Sequence, residues 1–216
     1  MKRFSEIFLG VAVVFGIAWL VTVAIPYTKF AQLQPVVDEE TGDRTPPVES
    51  GLVQRGATVY AAQGCAGCHS QRIRGGGADI DRGWGVRQSV PRDYWESGPV
   101  FWGSSRVGPD LSNVGMRQPS AMWHYQHLYN PRSLNPDSIM PPFRYLFEER
   151  KIVGQISEDA VALFGQDAPK PGYEVVPTMD AKALVAYLLS RNQSYALPEA
   201  PVKEGKQEDQ AAAGKP

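Results

Sequence analysis

The run Gly64-Cys65-Ala66-Gly67-Cys68-His69 constrains this chain more than any other stretch. Cys-x-x-Cys-His is the attachment pattern of a covalent c-type haem. Two thiols three positions apart lie on one turn, where they can add to the two vinyl groups of a single porphyrin, and the adjacent imidazole faces the iron. The chain holds 2 cysteines and 3 histidines, so other uses of the pair can be enumerated. A redox dithiol fits Cys65 and Cys68 but needs a βαβ surround that the sequence lacks. A zinc site would recruit His124 and His127, across 55 intervening residues and with a His-x-x-His gap shorter than the usual finger spacing. With 21 glycines and 18 prolines among 216 residues, the chain reads as loops wrapped around something, and a haem suits that role.

Ile7 to Ile25 is 19 residues without a charge, preceded by Lys2 and Arg3 and closed by Pro26. At about 1.5 Å per residue such a helix spans roughly 28 Å, close to the hydrocarbon thickness of a bilayer. Lys2 and Arg3 hold the N-terminus in the cytoplasm and place the remainder outside it. A cleaved signal peptide is the rival reading, with Thr22-Val23-Ala24 as a weak small-x-small site, although the apolar run is longer than a usual signal core. Both readings put the cysteine motif outside the cytoplasm, where bacterial c-type haem is attached. The net charge of −1 gives no electrostatic basis for binding nucleic acid.

Four segments follow from composition: an anchor over 1–28, a polar linker over 29–49, a folded domain over 50–197 and a disordered tail over 198–216. Within the domain, Leu52, Gly56, Val59 and Tyr60 recur at helical spacing and Gly64 stops that helix before the cysteines. A second helix is expected from Asp180 to Arg191, capped by Thr178, with Leu184, Tyr187 and Leu188 as its apolar stripe. Gly56 lets another helix cross closely, with Tyr187 as the expected neighbour. A third helix runs from Ser120 to Tyr129 and is ended by Asn130-Pro131. Gly75 to Arg106 reads as loop, and no strand alternation or internal repeat is visible.

A helix entering Cys-x-x-Cys-His, a crossing C-terminal helix and a downstream methionine together resemble a class I cytochrome c domain. The expected fold is therefore mainly α, wrapped around one covalent haem, with one N-terminal transmembrane helix and long loops. In that family a Gly-Pro-x-Leu run follows the haem-binding histidine, and its proline carbonyl accepts the imidazole N–H. Gly108-Pro109-Asp110-Leu111 matches it, which implies a second-shell role for Pro109 in fixing the His69 ring. A narrower resemblance lies in Cys68-His69-Ser70-Gln71, Ile73-Arg74, Trp102-Gly103-Ser104 with Arg106, His127-Leu128-Tyr129-Asn130-Pro131-Arg132 and Ser138-Ile139-Met140-Pro141. This series looks like the mono-haem subunit II of cbb3-type cytochrome c oxidases. It implies a single-electron carrier on the outer side of a bacterial inner membrane. Its partners would be a donor c-type cytochrome, the integral-membrane haem-copper catalytic subunit and lipid, and it would not be an enzyme on its own. Other readings are a haem c subunit of a different respiratory complex, a free anchored cytochrome, or a sensor or peroxidase with an open sixth site.

The sixth iron ligand has as candidates Met116, Met122, Met140, Met179, His124 and His127. Met140 sits in a loop bounded by Pro136 and Pro141-Pro142, and the resemblance implies the same residue. His124 and His127 read as packed side chains of the third helix, and Met179 as packing at the start of the last. Arg72, Arg74 and Arg106 are candidates for gripping haem propionates or partner carboxylates, or are solvated surface arginines. Trp84, Trp95 and Trp102 would shield haem edge or core.

Overall fold

The structure, a computed structural model, describes residues 2–95 and 97–202 and divides into two compact units, Met1–Pro46 and Pro47–Pro216. In the first unit, α1 (Lys2–Trp19), a π-helical turn over Leu20–Ala24 and α2 (Ile25–Phe30) form one helix, long and apolar enough over Arg3–Phe30 to cross a membrane. Pro26 does not close it. The Ile25 amide bonds back to Leu20, one residue further than in an α-helix, and this wider turn precedes the position where proline lacks a donor. The expected linker carries a small hairpin, with β1 (Val36–Val37) antiparallel to β2 (Arg44–Thr45). Asp38 makes its turn by accepting from the Glu40 and Thr41 amides.

The second unit is built on two crossing helices. α3 (Gly51–Ala62) starts at Ser50, whose hydroxyl accepts from the Val53 amide, and ends before Gly64 in the left-handed region. Between α3 and the last helix lie four short helices: α4 (Ala78–Asp81), α5 (Val114–Arg117), α6 (Ala121–Tyr129) and α7 (Pro131–Leu134). The last helix, α8 (Met179–Ser190), starts at Thr178, whose hydroxyl accepts from the Ala181 amide. It crosses α3 at the position expected from the sequence. A β-carbon on Gly56 would lie 2.0 Å from the Ala183 carbonyl oxygen and 2.6 Å from Tyr187 Cβ, so only glycine permits this approach. Val53 rather than Leu52 completes the buried face of α3, because Leu52 is exposed. Around the crossing, Tyr60 packs on Phe101 and Tyr187 with ring centroids 5.0 and 5.4 Å apart, and Leu184, Val185 and Val175 fill the interior.

One antiparallel hairpin in this unit was not legible as strand: β3 (Phe147–Lys151) pairs with β4 (Tyr173–Pro177), from Phe147 opposite Pro177 to Lys151 opposite Tyr173. Only Phe147 of β3 is buried, and four consecutive residues of β4 are, so neither strand alternates. The Gly75–Arg106 stretch is mostly irregular, as expected, and is ordered by buried charge. Arg87 meets Asp93 at 2.6 Å with both side chains buried, and its Nε donates to the Tyr195 carbonyl. The disordered tail expected over 198–216 lies outside the described residues from 203 onward. Its first residues pack against the body: Ala200 is buried, and Arg92 pairs with Glu199 at 2.7 Å.

Candidate functional site

The cysteine motif follows directly from the end of α3. Gly64, with φ of 69°, reverses the chain, and Cys65–Gly67 forms a 3-10 turn closed by the Cys68 and His69 amides bonding to the Cys65 carbonyl. Cys65 is half-buried against the helix core and Cys68 is exposed. Burial pushes the Cys65 thiol up to about 11. Both thiols are free.

A second segment, Gly103 to Leu111, straps this turn. The Ser104 amide bonds to Ala66, the Gly108 amide to Cys68 and the Leu111 amide to Ser70, at 3.1, 3.0 and 2.8 Å. These bonds bring the Gly-Pro-Asp-Leu run against the His69 ring. A β-carbon on Gly108 would stand 2.3 Å from His69 Cε1, so the imidazole occupies the space that any side chain there would need. Nδ1 of His69 lies 2.8 Å from the Pro109 carbonyl oxygen. Burial holds this imidazole below the usual histidine range, with the Pro109 carbonyl opposing and the Arg117 cation assisting. A neutral ring donating Nδ1–H to Pro109 leaves the Nε2 lone pair free for a metal.

Asp110 holds the strap from beneath. It is fully buried, with Oδ2 accepting from the Ser70 hydroxyl and the Arg72 amide and Oδ1 from the Ser112 amide. Arg106 belongs to the same network: it donates to Ser70, to Asp79 and to the Arg72 carbonyl, and lies over Trp84. Burial raises the Asp79 carboxyl, but Arg106 and the Arg74 amide outweigh it and hold the group low. All three Arg106 nitrogens are therefore engaged within this network. Arg72 and Arg74 are exposed, with Arg72 over Trp102.

Arg117, at the end of α5, is the cation that the sequence reading passed over. One of its amino groups donates to the Asp110 carbonyl, while Nε is buried without a partner. Among the described residues no carboxylate lies within ion-pair distance of it. No local pattern marks this residue, because its placement depends on the packing of α5 against α8. That packing is fixed by Gly115, where a β-carbon would stand 2.1 Å from the Leu189 carbonyl oxygen.

The sixth-ligand candidates separate on their surroundings. Met179 is exposed, and the sulphur of Met122 accepts from the Ala162 amide at 3.4 Å. His124 is buried and Nε2 lies 2.9 Å from the Gln118 carbonyl oxygen. His127 stacks on Trp123, with centroids 4.7 Å apart and an 8° interplanar angle, and its Nδ1 is buried without a partner. Met140 is half-buried and packs on the core that Cys65, Leu111 and Tyr129 also contact. Its loop leaves α7 through the Asn135 amide bond to Pro131 and returns to α6 through the Phe143 amide bond to Leu128.

Among the described residues no three His, Cys, Asp or Glu side chains gather as a metal site, so the four residues of a zinc reading are not brought together. A c-type haem fits what is present. The free Nε2 of His69, two free thiols on one turn, and the partnerless Arg117 Nε beside His69 match a flat iron group bearing carboxylates. Over residues 5–183 the chain matches the family model described as "Cytochrome C oxidase, mono-heme subunit/FixO". No curated protein matches it.

Proposed function

The chain belongs to the FixO family, the mono-haem subunits of cytochrome c oxidase, and from that premise we propose that it is the anchored electron-transfer subunit of a cbb3-type oxidase. The observation that carries this reading is the locked, neutral imidazole of His69, whose Nδ1 meets the Pro109 carbonyl and whose Nε2 is free. Cys65 and Cys68 would tether one haem c through thioether bonds, and His69 and Met140 would be the residues that hold its iron. Bound there, the haem supplies a one-electron Fe(II)/Fe(III) couple. Pro109 fixes the tautomer and raises the basicity of His69. Arg117 would offer a buried cation to a propionate, alongside the candidates Arg72, Arg74 and Arg106, because its guanidinium is buried with Nε unpartnered and no carboxylate among the described residues forms an ion pair with it.

A filled sixth position disfavours oxygen at this site and leaves the chemistry of oxygen reduction to the haem-copper catalytic subunit. Association with that subunit accords with the family. The apolar Arg3–Phe30 helix would hold the chain in the bacterial inner membrane with the haem unit on the periplasmic side. There it would accept electrons from a donor c-type cytochrome.

The test is a reduced-minus-oxidised spectrum of membranes carrying the chain matured with the haem c machinery. The expected result is a c-type spectrum with the weak near-infrared band of methionine bonded to Fe(III), and loss of that band in Met140→Ala. A c-type spectrum that Met140→Ala leaves unaltered would favour the open-site sensor or peroxidase reading, and absence of haem would overturn the proposal.

A further inference from the structure

α6 carries two histidines with different fates. His124 is accounted for by the Gln118 carbonyl, whereas Nδ1 of His127 is buried with no hydrogen-bond partner among the described residues. Its ring is also held still, laid nearly parallel on Trp123. A ring held this still with an unmet polar atom points to a partner that reaches it only when the site is loaded.

The path of the chain around α6 locates that partner, and the charge that His127 feels from His69 accords with a place near the cysteine turn. The Met140 loop is rooted on the residues that directly follow His127: α7 starts at Pro131, and the loop returns through the Phe143 amide to the Leu128 carbonyl at 2.8 Å. Met140 itself packs against the buried cluster that contains Leu128, the residue after His127.

We propose that His127 is a positioning residue whose Nδ1–H donates to the sulphur of Met140 when Met140 is on the iron. A thioether is a weak acceptor, and a donor aimed at it draws electron density from the sulphur. Iron bonded to that sulphur then favours the Fe(II) state, so the hydrogen bond raises the potential at which the subunit exchanges electrons. The proposal rests on His69/Met140 ligation.

Redox titration of the haem-loaded full-length chain tests it, with wild type, His127→Phe and His127→Gln compared at equal haem content. Phenylalanine keeps the stack on Trp123 and removes the donor, whereas glutamine keeps an N–H. His127→Phe should shift the Fe(II)/Fe(III) ratio at fixed ambient potential toward Fe(III) by about tenfold, equal to about 59 mV downward for one electron. His127→Gln should recover at least half of that shift, and both variants should keep the near-infrared methionine band. An unchanged potential in His127→Phe would overturn the inference while leaving the ligation intact, and loss of haem from both variants would reduce His127 to a packing residue. A wild-type protein without the methionine band would overturn the ligation itself, and the inference with it.

Discussion

Single residues decide how this site is held, and glycine and histidine decide most. Gly108 is required because the His69 ring fills its side-chain space, and Pro109 because its carbonyl faces the ring nitrogen. His124 makes a separate, measurable contribution. Burial lowers its pKa to about 4, with the Gln118 carbonyl opposing and His127 and Arg117 adding to the shift. The unfolded chain titrates near the ordinary value of about 6.5, so between these two values it binds a proton that the folded ring refuses. The stability contribution is complete above about pH 6.5 and is lost as pH falls toward about 4. His127, lowered to about 4 by burial and by His69, adds to the same fall. Urea denaturation of the haem-loaded chain at a series of pH values should show this decline. His124→Gln, which can still donate to Gln118, should make it shallower. An equally steep decline in the variant would mean that the native His124 ring is not held neutral.

At the scale of elements, the α3–α8 crossing carries the domain, and its geometry allows no side chain at Gly56. Gly56→Ala forces a carbon to within 2.0 Å of a backbone oxygen, where no rotamer change relieves the overlap. The expected loss is on the order of 1–3 kcal/mol, against ~1 kcal/mol for removing the Ser50 cap in Ser50→Ala. Denaturation midpoints followed at the haem band would rank the two, and equal losses would show that the helices slide apart at little cost. This crossing was legible in the sequence, because a small residue on one stripe and an aromatic on another are local signals. The cap at Thr178 was legible for the same reason. The β3–β4 hairpin was not: β3 presents Glu148, Glu149, Arg150 and Lys151 to solvent, and both strands owe their order to distant pairing, from Phe147 opposite Pro177 to Lys151 opposite Tyr173. The irregular Gly75–Arg106 stretch gave the same difficulty at the site. Arg106 read in sequence as a candidate for gripping carboxylates and is bonded to Asp79 and Ser70, while Arg117, whose buried Nε has no partner, lies where only tertiary packing could reveal it.

For the molecule as a whole, the division at Pro46 separates two jobs with different solvents. The Met1–Pro46 unit carries a 28-residue helix with exposed apolar side chains, suited to lipid or to another membrane helix. Every contact that holds the haem site lies in the Pro47–Pro216 unit: the cysteine turn, the strap, the Met140 loop and the Gly56 crossing. A chain starting at Pro47, exported behind a cleavable signal, should therefore be recovered in the soluble fraction with one haem per polypeptide. It should keep the c-type spectrum, the methionine band and the midpoint potential of the full-length protein, because the proposed ligands His69 and Met140 and the Pro109 lock all lie outside the helix. Electron delivery to an oxidase should fall instead, since without the anchor the encounter becomes bimolecular and loses the high effective concentration that a shared membrane provides. Fractionation, haem quantification and redox titration on the two forms separate these expectations. A truncated chain that is exported but takes up no haem would mean that the anchor is needed for maturation, and a shifted potential would mean that it shapes the haem surroundings.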